Sequence, residues 1–450
     1  MIVMKFGGTS VQDEEAIGRV IAIVKDRLEE RPLVVVSALA RVTRLLVSIA
    51  SEAEAGHAAK VAELLASLRE RHVRLAQTLL SARPDLLETA LSDIDYRIGR
   101  LESFVNGVCL IGELSPRSQA RVIATGELLS SIIVCAAFNA AGVSCHLADA
   151  RKMVITDDHY MSARPDLQAT RDNVRRIYAE ASREADLVVT QGFIATSEAG
   201  STSVLGFEGS DYSAALYAMA LDADRVEIWT DVDGIRTADP RVVSDTCRIE
   251  RVSYDEAAVM AAMGARVLHP LTIEPARIKN IPIRVLNSKN PACPGTSVVR
   301  GDEAPAGPKS VAVRDDILFV TVKARKLLGV TAMLGRVFSE LDLRKIPVVM
   351  ATASDAEVYL TVPEGNDALA EALEALSAWA DPTVYRDKAQ ISVIGRGMVS
   401  FEGLGDKVIS LSGKVHMVSL GTDLLSESFV IDRDRLAPTL AGLHDYIFKR

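Results

Sequence analysis

The chain has 450 residues, 48% of them hydrophobic and 25% charged, enough to bury more than one core. Its formal net charge of −9 opposes binding to nucleic acid or to an anionic lipid surface. No long uninterrupted apolar run or signal-peptide pattern is present, and Cys109, Cys135, Cys145, Cys247 and Cys293 have no paired spacing, so reduced thiols of a cytoplasmic protein are expected rather than disulfides or a zinc site.

The first predicted element is a strand over residues 2–6. It contains Lys5 and runs into Gly7, Gly8 and the hydroxyl pair Thr9-Ser10, which opens a helix. Glycines let backbone N–H groups come close to an anion, the helix N-terminus carries partial positive charge, and Lys5 adds a full one. This is a phosphate site in outline, although spacing alone leaves it level with a plain strand–turn–helix. Ser10 and Asp13 read as a capping box, and Ile17, Val20, Ile21, Val24 and Leu28 form one apolar stripe.

Further strands are predicted at 33–37, 187–193, 226–230 and 281–286, several of them continuously apolar. Helical segments lie between them, so the fold class is α/β with a mostly parallel sheet covered on both faces. Residues 47–105 are rich in Ala, Leu, Glu and Arg, lack strand signals and read as a helical insertion. A Pro- and Gly-rich stretch at 296–310 reads as a linker between regions 1–295 and 311–450. Beyond it, strands at 317–322, 348–353 and 358–362 alternate with helices at 330–341 and 368–379. The series repeats as strands at 391–394, 415–420 and 428–431 with helices at 404–410 and 436–448, two βαββα units in tandem.

Ligands bind at strand C-termini in open α/β sheets, which singles out four loops. They are the Lys5–Ser10 turn; the loop with Ser37, Ala38, Arg41, Thr43 and Arg44; Gly206-Phe207-Glu208-Gly209-Ser210-Asp211; and Thr230-Asp231-Val232-Asp233-Gly234 with Asp239-Pro240-Arg241. Taken singly, Ser210 or Asp211 reads equally as a helix N-cap, Asp233-Gly234 as a turn, and Glu127 as a carboxylate matching a helix dipole. No Walker-type, Gly-x-Gly-x-x-Gly or Gly-x-Ser-x-Gly motif is present at a strand end. Together the loops suit a nucleotide polyphosphate with a metal ion.

These motifs, with Thr190-Gln191-Gly192-Phe193-Ile194 and Gly264-Ala265-Arg266-Val267-Leu268-His269-Pro270, occur in the order found in aspartate kinases of the amino acid kinase superfamily, and the chain resembles that family. The resemblance implies a three-layer αβα kinase domain followed by two ferredoxin-like ACT units. It implies transfer of the ATP γ-phosphoryl group to the side-chain carboxylate of L-aspartate, with Mg²⁺, opening the route to lysine, threonine and methionine. By position, Lys5 and Asp211 fall at the transferred phosphoryl group, and Gly7 and Gly8 form the phosphate turn. Ser37, Thr43, Glu127 and Ser210 fall at the amino acid pocket, with Glu127 on the substrate ammonium. Thr230, Asp231, Arg236, Arg241 and Arg266 match nucleotide contacts. An amino acid effector at the ACT region and a homodimer or larger homo-oligomer are implied as well.

Two departures stand out. Phe207 occupies the place of an arginine that clamps the substrate α-carboxylate, and a phenyl ring cannot replace a bidentate guanidinium. Arg41 and Arg44 replace a usual glycine and asparagine and are candidate substitutes for that clamp, the alternative being solvated surface charges. In the ACT region, Ile346-Pro347-Val348-Val349-Met350 lacks the acid of lysine-sensitive members, so lysine feedback is not expected. Two other functions compete: a superfamily kinase for a different carboxylate, and a catalytically weakened amino acid sensor.

Overall fold

Ile2, Val3, Met4 and Phe6 are fully buried, so the strand they form needs cover on both faces and a neighbour on both edges. A computed structural model, which describes residues 1–206, 208–264, 268, 270–398, 401–420 and 425–449, supplies both. The chain divides into two compact units. The first comprises 1–235, 250–254 and 267–304; the second comprises 236–249, 255–266 and 305–450.

The first unit contains strands β1 (Ile2–Phe6), β2 (Leu33–Val36), β3 (Cys145–Ala148), β4 (Ile155–Thr156), β5 (Leu187–Gln191), β6 (Ile194–Ser197), β7 (Thr202–Val204), β8 (Arg225–Thr230), β9 (Arg251–Ser253), β10 (Ile283–Asn287) and β11 (Thr296–Val299). Eight of them form one sheet in the order β3-β5-β2-β1-β8-β10-β11-β9. From β3 to β10 every pairing is parallel; β11 runs antiparallel to β10. The chain lays β2 on one side of β1 and later crosses to place β8 on the other. This reversal of strand order opens a crevice at the C-terminal ends of β1 and β8. The edge strand β3, only partly buried, lacks the continuous apolar run of the inner strands and so left no sequence signal.

Helices cover both faces of this sheet: α1 (Glu14–Lys25), α2 (Val42–Glu54), α3 (Ala58–Leu80), α4 (Pro84–Ile111), α5 (Pro116–Ile123), α6 (Thr125–Ala140), α7 (Ala150–Met153), α8 (Leu167–Glu184) and α9 (Gly209–Leu221). Asp13 alone caps α1, accepting from Ala16 N–H at 2.9 Å, and Ser10 belongs to a preceding 3₁₀ turn; the expected capping box is corrected accordingly. The expected helical insertion is the trio α2–α4, which shares one core with α1 and α6. The apolar run Pro116–Ala140 has the length and composition to span a bilayer, but it is buried inside the protein.

The second unit holds α10 (Tyr254–Ala262) in part; α11 (Pro270–Lys279) belongs to the first. Strand β12 (Gly307–Arg314) precedes β13 (Ile317–Ala324), α12 (Val330–Leu343), β14 (Met350–Ala353), β15 (Glu357–Pro363), α13 (Leu369–Leu376) and β16 (Ala380–Tyr385). Then follow β17 (Lys388–Arg396), α14 (Leu404–Ser412), β18 (Val415–Leu420), β19 (Ser426–Asp432) and α15 (Leu436–Phe448). The sheets are β14-β15-β13-β16 and β12-β17-β19-β18. The two βαββα series are therefore not a simple tandem: the first is inserted between β12 and β17 of the second. Likewise the expected 296–310 linker contains β11, paired with β10, and the start of β12, paired with β17. The boundary between the two units, after Ala304, falls within it.

Below the sheet, β8 is anchored by a carboxylate. Glu227 is fully buried, accepts from Arg225 Nε at 2.8 Å and from Trp229 Nε1 at 3.1 Å, and lies 3.2 Å from Arg27 Nε. Arg27 covers the Trp229 ring, which stacks on Phe6. Glu227→Ala would leave the Trp229 indole N–H without its acceptor and Arg27 without its carboxylate, while Arg225 keeps Glu30, and is expected to lower stability by roughly 2 kcal/mol. Urea unfolding of the full chain measures this; a change below about 1 kcal/mol would show that the network adds little.

Candidate active site

The crevice is built by backbone approaches that only small residues permit. Gly7 N–H donates to Trp229 O at 3.1 Å, tying the β1 turn to β8. Gly8 accepts from Ala40 N–H at 3.0 Å through its carbonyl, and a Cβ on Gly8 would lie 2.7 Å from Ala38 O. Ser37 N–H donates to Phe6 O at 3.2 Å. The β1 and β2 loops therefore form one surface. Ser10 Oγ lies 2.8 Å from Ser288 Oγ, which in turn donates to Thr230 O, so the end of β10 closes the other side.

Lys5, nearly buried, ion-pairs with Asp211 in the first turn of α9. The lysine comes from the last turn of a central strand and the carboxylate from a helix N-terminus, where the dipole favours negative charge. Gly192 makes the approach of α9 possible: a Cβ there would meet Ser210 Cβ at 2.6 Å. Phe193 follows in a left-handed conformation (φ 68°), with its N–H donating to Ser213 Oγ at 2.9 Å.

Glu127, in the first turn of α6, is 3% exposed. One carboxylate oxygen accepts from Ala38 N–H at 3.1 Å; the other is buried with no hydrogen-bond partner. Burial pushes its pKa up to about 8, against the Ala38 N–H and the Lys5 charge, which lower it. Gly126 lets this turn press on Ala38, whose Cβ would lie 2.8 Å from an added methyl group.

The sheet thus gathers Lys5, Gly7, Gly8, Ser37, Glu127, Ser210, Asp211 and Thr230 around one crevice. Thr43 is half-buried in the first turn of α2, and Asp231 is exposed. Arg41 and Arg44 are exposed, and Arg41 holds a left-handed backbone (φ 70°), the conformation that a glycine would favour. Arg236 and Arg241 belong to the second unit and are engaged there, Arg236 with Thr246 Oγ1 at 2.6 Å and Arg241 with Asp239 at 2.6 Å. Arg266, Phe207 and His269 lie outside the described residues.

Sequence reasoning passed over Glu208. It sits left-handed (φ 53°) at the N-cap of α9, with a buried carboxylate oxygen that has no hydrogen-bond partner. Burial raises its pKa, the Asp211 charge adds to the rise, and Lys5 opposes it. A glutamate between phenylalanine and glycine gives no sequence signal of such a setting. Among the described residues no group of three or more His, Cys, Asp or Glu could hold a metal by itself.

A description of the amino acid kinase family matches residues 1–287. Over 458 residues the chain is 32% identical to the lysine-sensitive aspartokinase 3 of Escherichia coli (strain K12), covering 100% of this chain and 99% of that one. It is 31% identical to the chloroplastic aspartokinase 3 of Arabidopsis thaliana, covering 99% and 81%. The crystal structure of E. coli aspartokinase III in complex with aspartate and ADP (R-state) superposes with a TM-score of 0.86 over 100% of both chains, at 32% identity. Aspartate kinase from Clostridium acetobutylicum shares the fold at 19% identity, with a TM-score of 0.78 over 99% of this chain and 100% of that one. The chain belongs to the amino acid kinase family and, within it, to the aspartokinases.

Proposed function

We propose that this chain transfers the γ-phosphoryl group of ATP to the side-chain carboxylate of L-aspartate. The observation that carries the reading is the Lys5–Asp211 pair at the crevice where β1 and β8 diverge, with the under-bonded Glu127 carboxyl behind it. An aspartate carboxylate oxygen attacks the γ-phosphorus, the bond from phosphorus to the bridging oxygen breaks, and ADP leaves with that electron pair. The product is 4-phospho-L-aspartate. The nucleophile is already ionised at neutral pH, so no general base is required. The barrier lies in bringing two anions together.

Lys5 meets the charge on the transferred group, and Asp211 holds the ammonium in place. The Gly8 backbone N–H faces the phosphates, while Gly7 N–H, bonded to Trp229 O, holds the turn against β8. Ser37, Thr43 and Ser210 line the amino acid pocket, and Glu127 takes the aspartate ammonium. The nucleotide reading rests on Thr230 and Asp231, since Arg236 and Arg241 already have protein partners. Mg²⁺ usually binds through substrate phosphates and one or two carboxylates, not an all-protein cage. Asp211 and Glu208, whose buried oxygen lacks a hydrogen-bond partner, fit that pattern. Bound there, the ion would neutralise phosphate charge. We place the enzyme in the cytoplasm as a homo-oligomer, with the ACT units open to an amino acid effector other than lysine.

Lys5→Met and Asp211→Asn are each expected to lower kcat about 10³-fold in a coupled ADP-release assay with aspartate. Turnover with another amino acid but not with aspartate would overturn the substrate. Arg41 and Arg44 are proposed to meet the α-carboxylate that Phe207 leaves without its usual partner. The double alanine variant should raise aspartate KM tenfold or more, at roughly 1.4 kcal/mol per tenfold, and an unchanged KM would reduce both to surface charges.

Glu127 gives a pH signature. Its pKa is raised to about 8, so below that pH aspartate must displace a proton to use the carboxylate. Aspartate KM should therefore fall as pH rises toward 8 and then level off. In Glu127→Gln the KM should be higher and flat across the same window. Stability carries the opposite sign: the folded state keeps a proton that the unfolded chain releases near 4.5. This contribution is complete below 4.5 and is lost as pH rises through 8.

A further inference from the structure

Away from the transfer centre, α4 and α5 border an open surface cavity of about 550 Å³ lined by Asp95, Tyr96, Arg100, Ser103, Phe104 and Arg121. Two of its cations lie over aromatic rings. The Arg121 guanidinium lies 4.3 Å from the centre of Phe104, and that of Arg100 lies 5.8 Å from Tyr96, to whose hydroxyl it also donates at 3.1 Å. Contact with a ring restricts where a guanidinium sits and leaves N–H groups for an anion, more of them on Arg121 than on Arg100.

The surrounding charge is positive in excess. Arg100, Arg117 and Arg151 all repel Arg121, and Arg151 repels the half-buried Arg97. The carboxylates nearby are largely committed elsewhere: Asp95 pairs with Arg69 and Asp149 with Arg151, while Asp93 and Asp149 partly offset Arg97. A bound anion would offset the mutual repulsion among these arginines. The volume falls in the range of small-molecule sites, and the pairing of flat cations with aromatic walls matches a ligand carrying both phosphate and an apolar or planar part.

We propose that this cavity binds a phosphorylated small molecule at a site separate from the transfer centre. The site lies close to it along the chain: Arg121 is in α5, which passes into α6, and Glu127 is in the first turn of α6.

Inorganic pyrophosphate is the probe, titrated calorimetrically into the full chain without Mg²⁺. The wild type should bind two equivalents, one at each site. Arg100→Ser/Arg121→Ser should lose one equivalent, or weaken it at least tenfold, while keeping the wild-type kcat and melting temperature. A control pair of exposed arginines, Arg74→Ser/Arg183→Ser, should retain both equivalents. Failure of Arg100→Ser/Arg121→Ser to weaken any equivalent, or equal weakening in the control pair, would overturn the site. Citrate binding there as tightly as pyrophosphate would overturn the phosphate class.

Discussion

The Lys5–Asp211 pair is the contact on which the rest of the site depends. Both side chains are nearly buried, so each would be costly without the other. Bringing them together takes a central strand, a helix N-terminus and the close passage of α9 over Gly192. β1 must be paired along both edges to hold Lys5 still, which the sheet order ensures by placing β2 and β8 on either side. The Glu227–Arg225–Arg27–Trp229 network then braces β8 along most of its length, beside β1.

The remaining carboxyls are less well served. Glu127 and Glu208 each keep a buried oxygen without a hydrogen-bond partner, an arrangement that folding alone would disfavour. Glu208 adds a left-handed backbone, as do Arg41 and Phe193 on neighbouring loops. Strain and unmet polar groups concentrate where a ligand completes them. An ammonium at Glu127 would favour the charged form of its carboxyl, and a divalent cation near Glu208 would oppose the rise that burial imposes on its pKa. Ligand binding would meet these groups, and their satisfaction would add to its free energy.

Much of this was legible in the sequence, for identifiable reasons. Inner strands such as β1, β2 and β5 announce themselves because burial on both faces demands unbroken apolar runs, and α15 and β18 were bounded correctly by their period. The site loops were legible because phosphate chemistry requires glycine, lysine and aspartate at strand ends. Edge strands were not: β3 is partly exposed, and β12 and β16 look like Pro/Gly linker or loop until a partner strand is known. The insertion of one ACT unit into the other was invisible for the same reason, since β12 pairs across about eighty residues with β17. Glu208, Phe193 and Arg41 were missed as strained positions because backbone handedness is set by the surrounding loops, not by the residue.

The departures from the family pattern concern one end of the substrate. Phosphate recognition rests on backbone N–H groups, a helix N-terminus and Lys5, features that glycines and topology enforce and that change little when neighbouring side chains vary. The α-carboxylate, by contrast, is held by side chains alone, and a loop can supply a guanidinium from more than one position. Arg41 and Arg44 lie on the loop that includes Ala38, whose N–H anchors Glu127, so carboxylate and ammonium recognition would share one short segment. A clamp there would put the groups that meet both charges of the amino acid on one segment. If Arg41 supplies it, the left-handed backbone at that position costs about 1 kcal/mol relative to glycine.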